Sequence, residues 1–321
     1  MQIYYDNIIY SLQKTGGITT YWNELIKRIN EINFIKSISK KNRYKDVFVD
    51  SSEKFIFHSS YYRICKNKSA INITTVHDFT YEYYRNDLKS LVHKMQKKRA
   101  VRKSDGVICV SENTAMDLRK YYPWYKKPIK VIYHGFSDEY KLLKIERKPF
   151  FLFVGARGNY KNFELAVKII NKINGVKLVI VGGGDLSDTE IYLLNSSIPE
   201  RYEKKGFVEN SELSILYNQA RGLLYTSDYE GFGIPALEAQ SCGCPVICQR
   251  KSSLPEVVLD SAVYIPSTLE ATDLNAVQLL VTNEDFFNQK QKEGYENIKR
   301  FSWDKCAKET YKFYEEIYNK K

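Results

Sequence analysis

The stretch Ser227-Asp228-Tyr229-Glu230-Gly231-Phe232-Gly233-Ile234-Pro235-Ala236-Leu237-Glu238-Ala239 decides how this chain is read. Immediately before it, Gly222-Leu223-Leu224-Tyr225-Thr226 is a short apolar run of the kind that forms a buried strand. After it, residues 234–242 have helical spacing, and Pro245-Val246-Ile247-Cys248 reads as the next strand. Strand, glycine loop, helix and strand in that order make a half-turn of a doubly wound α/β sheet. Ligands of such sheets sit at the carboxyl ends of the strands, which is where the Glu230 loop falls.

The residue types in this loop suit an anion. Gly231 and Gly233 let the backbone approach a ligand closely, because no Cβ intervenes. Pro235 fits a first helical turn, where a missing N–H costs nothing. The remaining amides of that turn, with the positive end of the helix dipole, attract phosphate. Glu230 and Glu238 flank this site, and since a carboxylate repels phosphate, neither is suited to bind it. Each is better placed to accept hydrogen bonds from hydroxyls, as an acidic residue does for ribose in dinucleotide folds. A bare Glu-Gly-Phe-Gly would serve equally as a turn with solvated carboxylates, but the whole stretch is more specific.

It resembles the E-x7-E motif of the family 4 retaining glycosyltransferases, and the likeness continues from Glu238 through Ile247. The resemblance implies the GT-B fold: an α/β chain of two Rossmann-like domains facing a central cleft, with a C-terminal helix crossing back to the N-terminal domain. It puts Glu230 at the donor sugar as a catalytic residue and Glu238 on the nucleotide ribose. Gly231, Phe232 and Gly233 would line the diphosphate.

The composition agrees with such a chain. At 321 residues it is long enough for two domains. Its content, 43% hydrophobic and 27% charged, is that of a soluble globular protein. No run approaches the roughly 18 consecutive apolar residues of a spanning helix. Met1-Gln2-Ile3-Tyr4-Tyr5-Asp6-Asn7 has neither the basic region nor the long apolar core of a secretory signal, so a cytoplasmic location is expected. The six cysteines (65, 109, 242, 244, 248 and 306) fit no disulfide framework. Cys242-x-Cys244 lacks a second Cys/His pair to complete a metal site, so reduced core thiols are expected.

The net charge of +11 is unevenly spread. Residues 1–148 hold 29 Lys+Arg against 15 Asp+Glu, and the remainder 20 against 23. A basic first half predicts an anionic partner: a phosphorylated acceptor, a membrane surface or nucleic acid. A solvated Lys-rich face is the alternative. No helix-turn-helix or zinc-finger spacing supports nucleic acid.

Taken in order, Ile3-Tyr4-Tyr5 predicts a strand, and a helix follows from about Ile18 to Ile29. Between them Gly16-Gly17 opens the helix, and the resemblance implies that this loop covers the donor diphosphate. Residues 31–54 predict one short helix or strand. Phe55–His58 and Ile71–Asp78 read as parallel strands, the second ending in His77-Asp78. Members of the family often carry a His at this strand end that reaches the transferred sugar, which makes His77 the second catalytic candidate. His58 is a candidate for acceptor binding.

Residues 81–103 predict one helix with Leu88, Leu91, Val92 and Met95 as its buried stripe. Lys94, Lys97, Lys98, Arg99, Arg102 and Lys103 crowd its second half and suit anionic lipid or a lipid-linked diphosphate, a solvated face being the alternative. Residues 106–110 and 129–133 predict strands, and Ser111 opens the helix between them. His134, where the family commonly has Asn, reads as structural.

Residues 137–149 read as a linker, giving an N-terminal acceptor-side domain over 1–146, a nucleotide-sugar domain over 147–300 and a return helix over 301–321. After the strand Phe150–Gly155, Arg157 offers a bidentate fork and Lys161 a point charge, both suited to a diphosphate. The family carries an Arg and a Lys here for that purpose, although Ala156 separates Arg157 from the glycine. The resemblance implies that the turns after residues 178–181 and at Gly206-Phe207-Val208 hold the base, largely through backbone, with Val208 among the donor contacts.

The resemblance thus implies retaining transfer of a hexosyl unit, mannose- or rhamnose-like, from a nucleotide-diphosphate sugar to a glycan or lipid-linked acceptor of cell-surface polysaccharide, at the inner face of the membrane. No Asp-x-Asp motif stands beside the phosphate elements, so neither metal nor cofactor is expected. Two carboxylates at a sugar also suit a glycosidase, but that chemistry does not need an anion loop. The alternatives kept are a nucleotide-sugar epimerase of the same fold and a non-catalytic polyanion-binding protein.

Overall fold

Strands covered on both faces need no alternation of polar and apolar residues, and Phe55–Ser59 and Ala70–Val76 are buried at every position. The computed structural model describes residues 1–37, 39–267 and 274–321. The chain forms two compact units, one of Met1–Gly135 with Phe301–Lys321 and the other of Phe136–Arg300.

The first unit begins with β1 (Gln2–Asp6), α1 (Ile8–Leu12), α2 (Gly17–Arg28), β2 (Ile32–Ile35) and β3 (Phe55–Ser59). It continues through β4 (Ala70–Val76), α3 (Thr80–Tyr84), α4 (Leu88–Lys103), β5 (Gly106–Cys109), α5 (Glu112–Tyr121) and β6 (Ile129–Val131). Its sheet is parallel, in the order β2-β1-β3-β4-β5-β6. The order reverses between β1 and β3, and that switch point is where such sheets open a crevice.

The second unit runs β7 (Phe150–Val154), α6 (Phe163–Lys172), β8 (Lys177–Val181), α7 (Asp188–Ser197), β9 (Tyr202–Lys205), α8 (Asn210–Gln219) and β10 (Gly222–Tyr225). It ends with α9 (Ile234–Ser241), β11 (Val246–Gln249), α10 (Leu254–Val258), β12 (Val263–Ile265), α11 (Asn275–Thr282) and α12 (Glu284–Ile298). The order β12-β11-β10-β7-β8-β9 is that of a dinucleotide-binding sheet, with its switch point between β7 and β10. Phe153, Phe163, Ile169, Leu178, Leu224 and Ile247 are among the residues of its buried core. The α/β class and the doubly wound parallel sheets implied by the resemblance are present in both units.

The last helix, α13 (Trp303–Lys320), packs within the first unit against α2, β3 and β4. A chain of buried hydrogen bonds fixes it: Tyr5 and Tyr314 join through their hydroxyls at 2.8 Å, and His58 Nδ1 lies 2.5 Å from the Tyr314 hydroxyl. His58 Nε2 lies 2.9 Å from Thr75 Oγ1. His58 is therefore fully buried and structural, which corrects its reading as an acceptor contact.

Three further expectations change. The division between units falls at Gly135/Phe136 rather than 146/147. Residues 137–149 are irregular but fastened to the second unit: Leu143 N donates to Asn218 Oδ1 at 2.7 Å, and Arg147 donates to the carbonyls of Tyr217 and Gly243. The helix expected over 81–103 is two helices. Asp87 caps the second by accepting from Ser90 N at 2.9 Å, so the chain turns at Arg85–Asp87. The stripe expected to be buried on α4 is exposed, and Lys97 is buried instead.

Candidate active site

At the β7/β10 switch point two loops are clasped together. The Asp228 amide donates to the Tyr160 carbonyl at 2.7 Å, and Thr226 Oγ1 donates to the carbonyls of Lys161 and Asn162 at 3.0 Å. A short 3-10 turn over Asn159–Lys161 brings Lys161 across to the second loop. There its Nζ lies 2.6 Å from Glu230 Oε1, both side chains largely buried. Two residues expected to serve the donor phosphate and the donor sugar are thus direct partners in this protein.

The Glu230 loop is anchored from below by residues that sequence reasoning missed. Glu230 N donates to Ser252 Oγ at 2.8 Å, while Ser253 Oγ donates to the carbonyls of Glu230 and Phe232. Lys251 Nζ lies 2.6 Å from Asp228 Oδ1 and places a second cation beside the loop. The only advance signal was a polar Arg250-Lys251-Ser252-Ser253 run directly after a strand. Gly231 joins the loop to buried Phe232. Gly233 precedes α9 with φ of 111°, a conformation that a side chain disfavours, and Pro235 lies in the first turn.

Glu238 sits one turn inside α9, and burial pushes its carboxyl up from 4.5 to about 7. It therefore holds or loses its proton near neutrality. Arg157 has a side chain only 3% exposed and donates Nε to Glu190 Oε1 at 2.8 Å. Its other nitrogens donate to the carbonyls of Gly182, Gly183, Gly184 and Asp185. The resemblance assigns this fork to a diphosphate, whereas here it braces the triple-glycine turn after β8. Val208 is partly buried in the loop after β9, where the Gly206 carbonyl accepts from Gly182 N at 3.0 Å.

In the first unit, Gly16 and Gly17 are exposed, Gly16 preceding α2 with φ of 129°. His77, just beyond β4, lines a cavity of about 280 Å³ with Trp22, Ser60, Tyr61, Asp78 and His93. Its ring stands edge-on to Tyr21, with centroids 5.1 Å apart, and stacks on His134 at 5.9 Å. Burial lowers the His77 pKa to about 4, so the imidazole is neutral at physiological pH. His134 is buried, in keeping with a structural reading. His93, not singled out from sequence, stacks on Tyr81 at 4.1 Å, and its Nδ1 lies 2.8 Å from the Tyr61 hydroxyl.

Ser59 and Ser60, which line this cavity, both donate to Asp6 at the β1/β3 switch point. Asp6 accepts from Ser60 N and Oγ at 2.7 and 2.6 Å and pairs with Arg63 at 3.2 Å. All six cysteines are buried and free. Among the described residues no cluster of three or more His, Cys, Asp or Glu forms a metal site.

A family model described as "Glycosyl transferases group 1" matches residues 137–300, and one described as "Glycosyltransferase Family 4" matches residues 38–140. The chain belongs to the group 1 glycosyl transferases. This glycosyl transferase is 30% identical over 241 residues to the O-antigen chain mannosyltransferase RfbU of Salmonella typhimurium, covering 68% of this chain and 67% of that one. It is 39% identical over 110 residues to O-antigen chain mannosyltransferase B of Escherichia coli, a match spanning 34% of this chain and 29% of the relative's own length. The sucrose-phosphate synthase of Thermosynechococcus elongatus has the same fold, with a TM-score of 0.78 over 100% of both chains at 17% identity.

Proposed function

We propose that this glycosyl transferase moves a hexosyl unit, mannose-like or rhamnose-like, from a nucleotide-diphosphate sugar to a glycan or lipid-linked acceptor. The setting is cell-surface polysaccharide synthesis at the cytoplasmic face of the membrane. The observation that carries the reading is the Lys161–Glu230 pair at the β7/β10 switch point, beside the N-terminal turn of α9. The cation and the helix dipole suit a diphosphate, and the carboxylate suits sugar hydroxyls. The two O-antigen mannosyltransferases among its relatives support the hexose and the pathway class.

The reaction is retaining and metal-independent in this proposal. The bond from the anomeric carbon to the phosphate oxygen breaks, and the acceptor oxygen bonds to that carbon on the same face. The acceptor proton passes to the departing phosphate, whose charge Lys161 and the loop amides stabilise. His77, neutral at physiological pH, donates or accepts one hydrogen bond at the sugar. Glu238 accepts from the ribose hydroxyls, and the Gly16-Gly17 loop and Val208 complete the donor contacts.

Thermal-shift screening with UDP, GDP, ADP and dTDP, then turnover of the matching sugars, tests the reading. The expected result is stabilisation by one nucleotide, transfer unaffected by a chelator, and a product of the donor's anomeric configuration. Release of a free epimerised sugar, or no stabilisation by any nucleotide, would overturn it.

A further inference from the structure

Helix α4 carries an apolar stripe that is turned to solvent. Leu88, Leu91, Val92 and Met95 recur at the spacing of one helical face and are 82, 53, 37 and 63% exposed. Ser90, Lys97, Ala100 and Val101 are the buried residues, on the opposite side. Lys97 is drawn inward by partners: its Nζ lies 2.7 Å from Glu82 Oε2 and donates to the Asp78 carbonyl at 2.8 Å. The apolar stripe is therefore not the packing face.

The same outward face becomes basic toward the helix C-terminus, through Lys98, Arg99 and Arg102. Arg99 is paired with Asp46, and Arg102 lies over the half-exposed Trp124 ring at 5.2 Å. Val92, Met95, Lys98, Arg102 and Lys103 border one surface depression. Across its 16 residues α4 carries seven Lys or Arg and no Asp or Glu. Among the described residues no helix is long and apolar enough to span a membrane.

We propose that α4 docks this protein on an anionic lipid bilayer, lying in the headgroup layer. Leu88, Leu91, Val92 and Met95 enter the acyl boundary, and Lys98, Arg102 and Lys103 meet the headgroup phosphates. Charge selects an anionic partner, and the exposed apolar crest selects a bilayer over a nucleic acid, whose phosphates give such a crest nothing to contact. The inference extends the membrane setting of the proposed function, but its test needs neither donor nor acceptor, so either can fail alone.

The full chain is incubated with vesicles of phosphatidylcholine alone and of phosphatidylcholine mixed with phosphatidylglycerol. Binding is expected only to the mixed vesicles, weakened at least about tenfold by Leu91→Ser/Met95→Ser and by Lys98→Ala/Arg102→Ala. Because the six native cysteines are buried, an environment-sensitive dye on Met95→Cys reports that site selectively, and its emission should shift to the blue on the mixed vesicles. Full binding by Leu91→Ser/Met95→Ser, or an unshifted dye on bound protein, would overturn lipid insertion. RNA competing equally with vesicles for the wild type while the apolar variant is unaffected would replace it with a polyanion surface.

Discussion

Lys161 Nζ lies 2.6 Å from Glu230 Oε1, across the two loops that meet at the β7/β10 switch point. Each residue holds the other where a ligand would use it. Without the lysine, Glu230 would be a largely buried carboxylate lacking its cation, which is a costly arrangement. In the proposed reaction a diphosphate would compete with Glu230 for Lys161, and sugar hydroxyls would compensate the carboxylate.

Lys161→Ala is predicted to weaken binding of the nucleotide-diphosphate sugar by roughly 1.5–3 kcal/mol, the contribution of a charged hydrogen bond. Glu230→Gln releases the lysine, so affinity for the bare nucleoside diphosphate should hold or rise while turnover falls at least about tenfold. Titration calorimetry and steady-state kinetics on the two variants decide. Unchanged affinity in a folded Lys161→Ala protein would remove the site from this loop pair.

His77 is predicted to act in the transfer step and not in nucleotide binding. Burial keeps its pKa at about 4, so its contribution should not titrate between about pH 5 and pH 8. His77→Ala should lower kcat by more than about tenfold with the nucleotide affinity near wild type. A normal turnover number would leave His77 a packing residue beside Tyr21 and His134.

Gly135 is a stability position. A Cβ there would stand 2.2 Å from Trp303 N and 2.5 Å from Ser302 C, both backbone atoms at the start of α13. Neither can give way without moving the helix that Tyr314 ties to Tyr5 and His58. Gly135→Ala is expected to cost about 3 kcal/mol or more, seen as a lower Tm. Gly206→Ala, where a Cβ meets nothing within 4 Å, is the control and should shift Tm little.

The parts of this molecule that were legible in sequence are those whose signal is local. The strand Gly222–Tyr225, its glycine loop and α9 lie within twenty residues, and apolar run, turn chemistry and helical spacing agree. The Lys161–Glu230 pair was not legible, because its members are 69 residues apart and meet only when β7 and β10 become neighbours. Strand β9 was hidden by its sequence, Tyr202-Glu203-Lys204-Lys205, since an edge strand gains protection from charge rather than burial. The orientation of α4 was inverted for a related reason. Periodicity shows that a helix has an apolar face but not which face packs, and Glu82 made a buried lysine tolerable.

Glu238 gives a prediction in pH. Its folded-state pKa, raised by burial to about 7, exceeds the ordinary value of 4.5. Between those values the folded chain keeps a proton that the unfolded chain has lost. The contribution of Glu238 to stability therefore falls as pH rises through this window, by up to about 3 kcal/mol, and the loss is complete above about pH 7, whereas buried histidines such as His77, whose pKa is lowered, contribute with the opposite sign. Glu238→Gln should remove that contribution, so its stability relative to wild type should rise from about pH 5 to about pH 8 in denaturant titrations and match or exceed wild type at the upper end. Wild-type donor affinity should run opposite to that contribution. The ionised carboxylate is the better acceptor for ribose hydroxyls, so wild-type affinity should rise with pH across neutrality, while Glu238→Gln binds more weakly with no such rise. Parallel slopes for wild type and Glu238→Gln in both measurements would show that the group titrating near neutrality is not Glu238.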